Sequence, residues 1–334
     1  MMENFTILGL TVYPYGLAVA LAGIAALLLA RAEYKKRAVR PGALSWAAVL
    51  MIPLGFLGAR LGYCLSNLDW VSQQEAGFFF QFTSGGYHLY GAMAGAALAL
   101  LLASRIARVP FARLSDGLAA PAALMIALCR LAEGLVGEGY GWNVRQWFME
   151  DEGMSLIVLE DTGFFERFPF AIPNMYGSWR WAVFVVEALI ALGICAVLLR
   201  QKRRKAGGQT TLLLILYAAT QLLGESMRQD AVLRWGFVRV NQVLGAVVLA
   251  GTLALCAALA PGRNGKRIAC GAGGLVASFC LVAAMEFALE KKIGFLEWMP
   301  MDVCYVVMAG ACALAIGAVL PLWRRAFPLE NAEK

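Results

Sequence analysis

Nine apolar stretches, each about 18–25 residues long, set the strongest limit on how this chain can fold. A helix rises about 1.5 Å per residue, so about 20 apolar residues cross a hydrocarbon core of about 30 Å. The chain is 60% hydrophobic and only 15% charged, whereas soluble domains carry about 25% charged residues. This composition excludes an ordinary cytosolic or disordered protein. The sequence predicts an all-α, polytopic membrane helix bundle with about nine transmembrane helices, near residues 8–30, 43–66, 87–104, 116–138, 180–200, 211–227, 238–260, 268–288 and 302–323.

Basic residues alternate between the two ends of the predicted helices. The loop 67–86 contains no Lys or Arg, whereas most of the 29 basic residues lie in the segments 31–42, 105–114, 200–208, 261–267 and the tail after Trp323. Cytoplasmic loops carry the excess of Lys and Arg. We therefore expect the N-terminus outside and the C-terminus in the cytoplasm. The formal charge of +7 is explained by this topology and does not indicate a nucleic-acid partner.

The sequence predicts a seven-helix membrane core followed by a C-terminal extension. Residues 1–260 hold seven predicted transmembrane helices. Within them, residues 139–179 are rich in aromatic and acidic side chains and are expected to form a small extracytoplasmic head, or cap, over the bundle. Residues 261–334 are expected to add two transmembrane helices and a cytoplasmic tail. The first apolar stretch lacks the basic start of a signal peptide and is expected to be a retained helix.

The eight cysteines and the single histidine do not form a metal-binding pattern. Every cysteine lies in an apolar stretch, and no two form a CxxC pair. Zinc sites and disulfide frameworks need clustered ligands or characteristic spacings. We expect no metal site, and we interpret the cysteines as small apolar packing residues.

A few charged side chains lie within the apolar stretches or at their ends, where each needs a partner or a function. Arg130 and Glu133 are three residues apart and share a helix face. Two interpretations remain open: an internal ion pair that orders the bundle, or an anion site in which the planar arginine binds a lipid phosphate. The full set is Arg60, Arg130, Glu133, Glu138, Glu187, Glu225 and Arg228.

The third apolar stretch combines small residues with two polar aromatic ones. Gly91 and Gly95 form a GxxxG pattern, which predicts close contact with another helix. His88 and Tyr90 lie at its outer end, and either could act in proton transfer. On a continuous helix they project about 200° apart, so they share a pocket only if the helix begins between them.

Several short motifs follow one another in a specific order over roughly residues 10–260. They are VYPYGL (12–17), GARLGYCL (58–65), GGYHLYGAMAG (85–95), SDGLAAP (115–121), CRLAEGLVGEGYG (129–141), FPFA (168–171), LYAATQLLGESMRQD (216–230) and NQVLGAVVLAG (241–251). In order and spacing they resemble the motifs of the prolipoprotein diacylglyceryl transferases of bacterial inner membranes.

The resemblance implies a membrane transferase that moves a diacylglyceryl group from phosphatidylglycerol to the lipobox cysteine of a prolipoprotein signal peptide. It implies no metal or organic cofactor, and a cavity open to the outer leaflet of the lipid bilayer. Position by position, the implied catalytic residues are Arg130, Tyr90, Arg228 and Glu225. The implied substrate-binding residues are Tyr15, Arg60, Glu133, Gly137, Glu138 and Gly141.

The sequence departs from the family pattern at several motif positions. Tyr90 replaces a histidine, Glu133 an asparagine and Gln221 an arginine. An unperturbed phenol has a pKa of about 10 and is a poor base at neutral pH. A HPxQLYE-like motif before the fifth apolar stretch is missing, and the last two apolar stretches have no counterpart. Three alternatives stay open: a diverged lipid transferase with another donor or acceptor, a catalytically inactive lipid-binding protein, and a transporter.

The resulting hypothesis places the phosphate of an anionic glycerophospholipid against Arg130 and Arg228. Arg60 would hold either the helices or the head group, and Glu138 and Glu225 would orient the arginines. A cysteine-bearing acceptor would reach the cavity beneath the cap.

Glu133 and two tyrosines complete this hypothesis. A charged Glu133 is expected to pair with Arg130 and so to weaken phosphate binding. Tyr15 or Tyr90 is expected to donate hydrogen bonds to the lipid.

Overall fold

Helices dominate the computed structural model, which describes residues 5–7, 10–75, 77–82, 85–148, 162–174, 177–230, 234–235, 238–262 and 264–330. In chain order the helices are α1 (Pro14–Lys36), α2 (Pro41–Ser66), α3 (Leu68–Val71), α4 (Leu89–Ala107), α5 (Phe111–Val136), α6 (Val144–Phe148), α7 (Val183–Arg200), α8 (Gly208–Met227), α9 (Val240–Leu259), α10 (Gly265–Leu289) and α11 (Met301–Ala326). The predicted all-α bundle is confirmed.

The strands form three small antiparallel ribbons at helix ends. They are β1 (Phe5–Ile7) with β2 (Leu10–Val12), β3 (Ala171–Pro173) with β4 (Trp179–Trp181), and β5 (Arg234–Trp235) with β6 (Val238–Arg239). The first ribbon corrects the predicted start of the first helix at residue 8. That helix begins instead at Pro14, because proline has no backbone N–H to lose in the first turn and its φ angle suits a helix.

Nine of the described helices have 18 or more residues, and eight of these are long and apolar enough to cross a membrane. The exception is α8, which carries Gln209, Gln221 and Glu225. Most of its residues are buried, and it packs against α5, α7, α9 and α11. A helix enclosed by other helices can hold polar side chains that would be costly against lipid. The protein is therefore a multi-pass membrane protein with a polar helix inside the bundle.

Helices α2 and α4 approach each other most closely. A Cβ atom on Gly58 would lie 2.5 Å from the Gly91 carbonyl oxygen, and one on Gly62 would lie 2.9 Å from the Gly91 Cα. Gly95 lies equally close to the backbone of Leu54. The predicted tight contact at Gly91 and Gly95 is confirmed, because glycines on both helices let the backbones touch.

One carboxylate of α5 fixes where α8 begins. The two oxygens of Asp116 accept hydrogen bonds from the backbone N–H groups of Gly207 and Thr210, both at 2.9 Å. These groups belong to the first turn of α8, where N–H groups lack partners within the helix. The contact sets the position of α8 along α5.

Helices α10 and α11 form a hairpin that shares the main hydrophobic core with α8 and α9. The Ser278 hydroxyl of α10 donates to the Ala311 carbonyl of α11 at 2.7 Å. The Trp323 indole donates to the Gly208 carbonyl at 2.8 Å and joins the hairpin to the start of α8. Residues on both sides of position 260 therefore contribute to one hydrophobic core.

The described part of the predicted cap has its own small aromatic core. Val144, Phe148 and Ala171 are buried and pack with Trp147, Phe165, Trp179 and Trp181. The Ala171 strand pairs with β4, which leads directly into α7. The remainder of the predicted cap, 149–161 and 175–176, lies outside the described residues.

The close approach of α2 and α4 predicts that Gly58→Ala destabilises the protein. The added methyl group would collide with the Gly91 carbonyl, and such overpacking costs about 1–3 kcal/mol. The measurement is the thermal unfolding temperature of the purified protein in one detergent. Gly251→Ala is the matched control, because a Cβ there meets nothing within 4 Å. Equal unfolding temperatures for the two variants would contradict the assigned contact.

Candidate active site

The charged residues predicted from the sequence gather where several helices end or begin. Helices α5 and α8 end there, and α4, α7 and α9 begin there. The centre of this region is a set of five side chains, here called the arginine cluster: Arg130, Glu133, Glu187, Arg228 and Asp230.

Glu133 and Glu187 join the two arginines. The Glu133 oxygens lie 2.7 Å from Arg130 Nη1 and 3.0 Å from Arg228 Nη1. Glu187 Oε2 lies 3.5 Å from Arg130 Nε and 3.3 Å from Arg228 Nη1. The Glu187 side chain is only 2% exposed. Two carboxylates thus bridge arginines that are 98 positions apart in sequence, and they tie α5 and α7 to the end of α8.

Asp230 holds the second arginine from the chain immediately after it. The Arg228 guanidinium donates to Asp230 through Nε at 3.0 Å and Nη2 at 2.5 Å. Arg228 itself has extended backbone and terminates α8. Burial alone would raise the pKa of Asp230, but the hydrogen bond and charge of Arg228 outweigh burial and lower it. The carboxylate therefore stays ionised and fixes one side of the guanidinium.

Gln221 links the first arginine to the buried glutamate. Its side-chain oxygen accepts from Arg130 Nη2 at 3.3 Å, and its nitrogen donates to Glu187 Oε1 at 3.4 Å. An amide can serve both partners because it carries a donor and an acceptor. The residue that replaces a family arginine is thus part of the same polar network.

A glycine-rich loop closes over the arginine cluster. Gly137 and Gly139 have φ angles of +74° and +72°, a region that side chains with a Cβ atom rarely adopt. The Gly139 N–H donates to Asp230 at 2.7 Å, and a Cβ there would lie 2.7 Å from Glu133 Oε2. Gly141 packs against Val183 and the Met227 carbonyl. These glycines bring the backbone onto the cluster.

The predicted orienting residues, Glu138 and Glu225, have other surroundings. The carboxylates that contact the arginines are Glu133, Glu187 and Asp230 instead. Burial, together with the charges of Glu133 and Asp230, raises the pKa of Glu138. Glu225 accepts a hydrogen bond from Asn241 at 3.1 Å and is 2% exposed. It lies beside the cluster without pairing directly with either arginine among the described contacts.

His88 and Tyr90 both face this end of the bundle, because α4 begins between them at Leu89. Their rings lie 6.0 Å apart. His88 Nε2 donates to the Asn241 side-chain oxygen at 2.7 Å, which extends the polar chain from Glu225. Burial lowers the pKa of His88 and favours the neutral imidazole. The Tyr90 hydroxyl is buried and has no hydrogen-bond partner within the described part of the chain.

Arg60 and Tyr15 occupy two different environments. Arg60 is 0% exposed and donates to the carbonyls of Phe78, Phe79, Gln81, Gly85 and Gly86. Its guanidinium also lies 4.5 Å from the centre of the Phe78 ring. This geometry favours the first of its two predicted tasks, holding the structure together. Tyr15 lies in the first turn of α1, the helix that packs along α5.

Two residues of the site, Asp230 and His88, carry only a weak signal in the sequence. Asp230 stands two positions after Arg228, but nothing in a linear sequence shows that the chain turns back there. The place of His88 depends on where its helix begins. A proline or a capping side chain marks many such starts, but none marks the start at Leu89.

The fold and site together define a membrane protein with paired arginines buried at one end of a helix bundle. Residues 3–258 match the family model described as prolipoprotein diacylglyceryl transferase. The match covers about three quarters of the chain and ends before α10. The chain therefore belongs to the prolipoprotein diacylglyceryl transferase family.

Individual relatives have the same description, phosphatidylglycerol--prolipoprotein diacylglyceryl transferase. One from Listeria monocytogenes serotype 4b (strain CLIP80459) is 28% identical over 239 residues, covering 70% of this chain and 81% of the relative. One from Corynebacterium glutamicum (strain ATCC 13032) is 27% identical over 265 residues, covering 75% and 80%. One from Lactiplantibacillus plantarum (strain ATCC BAA-793) is 26% identical over 255 residues, covering 73% and 84%.

The position of Glu133 predicts that Glu133→Asn leaves the transfer rate equal or raises it. The shorter neutral side chain frees one N–H donor of each arginine for an anion, while Glu187 and Asp230 still hold both guanidiniums. The measurement is the initial rate of product formation with phosphatidylglycerol in detergent micelles. Glu133→Gln is the control for side-chain length. A rate that falls in both variants, with unfolding temperatures unchanged, would contradict the prediction.

Proposed function

We propose that this protein transfers the diacylglyceryl group of phosphatidylglycerol, or of a related anionic glycerophospholipid, to the lipobox cysteine of prolipoproteins. The observation that carries the proposal is that Glu133 and Glu187 hold Arg130 and Arg228 together at one buried site, in a member of this family. Each guanidinium offers a planar set of donors suited to phosphate oxygens.

The reaction explains why fixed arginines are needed. The cysteine sulfur attacks the terminal glyceryl carbon of the lipid and forms a carbon–sulfur bond. The bond from that carbon to the phosphate oxygen breaks, and glycerol phosphate leaves with the bonding electrons. The thiol proton passes to a base or to solvent. The phosphate gains one negative charge in this step, and donors already fixed in a dry site stabilise that charge.

The carboxylates of the arginine cluster compete with a lipid phosphate for the arginine donors. Glu133 occupies one nitrogen of each arginine, so a phosphate must share or displace that carboxylate. The Tyr90 hydroxyl, which has no hydrogen-bond partner among the described residues, is the donor that we assign to the bound lipid. Tyr15, in the first turn of α1, is assigned as a second. In the proposed arrangement Gly137, Glu138 and Gly141 shape the loop over the lipid head group. Arg60 stabilises the backbone of residues 78–81 and 85–86 at the same end.

The same carboxylates favour one alternative function, a lipid-binding protein without transfer activity. Three carboxylates face two guanidiniums in the arginine cluster, which lowers the positive field available to a leaving phosphate. This alternative predicts phosphatidylglycerol binding with no product.

Transfer is tested by complementation of bacterial cells depleted of their own diacylglyceryl transferase. The wild-type chain is expected to add a diacylglyceryl-sized mass to the lipobox cysteine of a model lipoprotein. Arg130→Ala is expected to lower product about a hundredfold or more, as loss of a transition-state donor does. Arg130→Lys keeps the charge but loses the planar donor set, and is expected to be impaired as well.

The matched control for the arginine variants is Arg145→Ala. Arg145 lies at the same end of the molecule, is 69% exposed and pairs with Glu166 on the surface. This variant is expected to keep wild-type activity. A wild-type protein that inserts into the membrane and binds lipid, yet adds no mass, would support the lipid-binding alternative and contradict transfer.

We propose a bacterial cytoplasmic membrane as the location, with the arginine cluster on the outer side. The basic segments 31–42, 105–114 and 200–208 lie at the opposite helix ends from the cluster. The excess of Lys and Arg in cytoplasmic loops supports an outside N-terminus and a cytoplasmic C-terminus.

This orientation predicts the behaviour of two reporter fusions. Green fluorescent protein at the C-terminus is expected to fluoresce, because that end lies in the cytoplasm. Alkaline phosphatase fused within the loop 67–86 is expected to be active, because that loop lies outside. The reverse pattern in both fusions would contradict the orientation.

A further inference from the structure

The last hydrogen-bond acceptors of α8 are bound by residues from outside that helix. The final carbonyls of a helix have no partner within it. Here the carbonyls of Glu225 and Arg228 accept hydrogen bonds from Arg239, and that of Ser226 accepts one from Tyr305. Arg228 belongs to the arginine cluster, so these contacts determine where its backbone lies.

The buried guanidinium of Arg239 has its carboxylate partner on α10. Its Nη1 donates to the Glu225 carbonyl at 2.6 Å and to the Arg228 carbonyl at 2.9 Å, and the residue is 4% exposed. Glu286, near the end of α10, places Oε2 3.5 Å from Arg239 Nε. A guanidinium this buried needs a carboxylate partner, because an unpaired buried charge is strongly destabilising.

Glu286 is itself held in place by α9. Its Oε1 accepts a hydrogen bond from Gln242 at 2.5 Å, and the same Gln242 nitrogen donates to the Leu222 carbonyl of α8 at 3.0 Å. The side chain of Glu286 is 17% exposed, so it lies within the protein rather than against lipid. The carboxylate thus has one oxygen for Arg239 and one for Gln242.

Tyr305 makes the second connection, from the start of α11. Its hydroxyl donates to the Ser226 carbonyl at 3.2 Å and accepts from the Trp142 indole at 3.0 Å. Its ring stacks on Trp147 at 5.2 Å with an angle of 12° between the planes. Tyr305 therefore joins the end of α8 to the loop and short helix that follow Gly141.

We propose that the α10–α11 hairpin is a positioning device for the transfer reaction, with Glu286 and Tyr305 as its positioning residues. The hairpin lies beyond the residues that match the family, 3–258. Tyr305 nevertheless donates to the Ser226 carbonyl, two positions before Arg228, and Glu286 pairs with Arg239, which binds the Arg228 carbonyl. Glu286 acts through Arg239, and Tyr305 acts directly on Ser226. The inference rests on the proposed transfer of a diacylglyceryl group.

The variants Glu286→Gln and Tyr305→Phe test this proposal in the full-length protein. Glu286→Gln removes the charge opposite Arg239, and Tyr305→Phe removes only the hydroxyl. In micelles with phosphatidylglycerol and a lipobox peptide, each is expected to lower kcat about tenfold, because a small misplacement of a reacting group is costly. Glu286→Asp, which keeps the charge, is expected to recover part of the loss.

The matched control is Glu290→Gln. Glu290 follows the last turn of α10, and it pairs with Arg234 at 3.7 Å and with Lys292 instead of Arg239. This variant loses the same charge at a position four residues further along the chain and is expected to keep the wild-type kcat. A loss equal to that of Glu286→Gln would show a general effect of charge and overturn the assignment.

A double variant at Glu286 and Arg228 distinguishes an effect on the position of Arg228 from a general loss of stability. If Glu286 acts through Arg228, then Glu286→Gln causes no further loss of kcat in an Arg228→Lys background, because residues that act as a unit are not additive. Full additivity of the two losses would overturn the proposal.

Hydrogen exchange followed by mass spectrometry tests the proposal without relying on activity. Peptides that cover residues 222–230 are expected to exchange faster in Glu286→Gln and Tyr305→Phe than in the wild type or Glu290→Gln. Unchanged exchange in both variants would overturn the role of the hairpin. If the wild type makes no product, the proposed function fails, and the exchange result alone decides whether the hairpin holds Arg228.

Discussion

Two arginines buried at one end of a helix bundle require carboxylates from other parts of the chain, and this pairing organises the site. Glu133 and Glu187 each contact both Arg130 and Arg228, so three helices are held in one arrangement by charge. The glycine loop follows from the same requirement, because only a backbone without side chains fits over Glu133. Under the proposed function, phosphate recognition is a competition between a lipid and the carboxylates that make the burial of the arginines possible.

Much of the fold could be predicted from composition and spacing because the bilayer imposes a simple length rule. Apolar stretches marked the long helices, and the GxxxG at Gly91 marked a close helix contact. The helix α8 shows the limit of that rule. Its apolar residues looked like those of its neighbours, but its polar residues mark a helix enclosed by the bundle. The exact start of α1 also escaped, because residues before Pro14 are apolar yet pair as strands.

The candidate site was only partly predictable, for a different reason. Charged residues in apolar stretches are conspicuous, so both arginines and Glu133 were found at once. Glu187 pairs with arginines far from it in sequence, and a linear sequence does not show such contacts. Asp230 stands only two positions after Arg228, but its pairing depends on how the chain turns after α8. The two final helices had no family counterpart, and only the structure connects them to the residues that do.

Helix α8 is fixed at both ends. Asp116 and Trp323 hold its first turn, while Arg239 and Tyr305 hold its last carbonyls. A helix anchored in this way cannot slide along its axis without breaking contacts at both ends simultaneously. Any rearrangement that admits a molecule with two acyl chains is therefore expected in helices that make none of these four contacts, with α8 as a fixed element of the bundle.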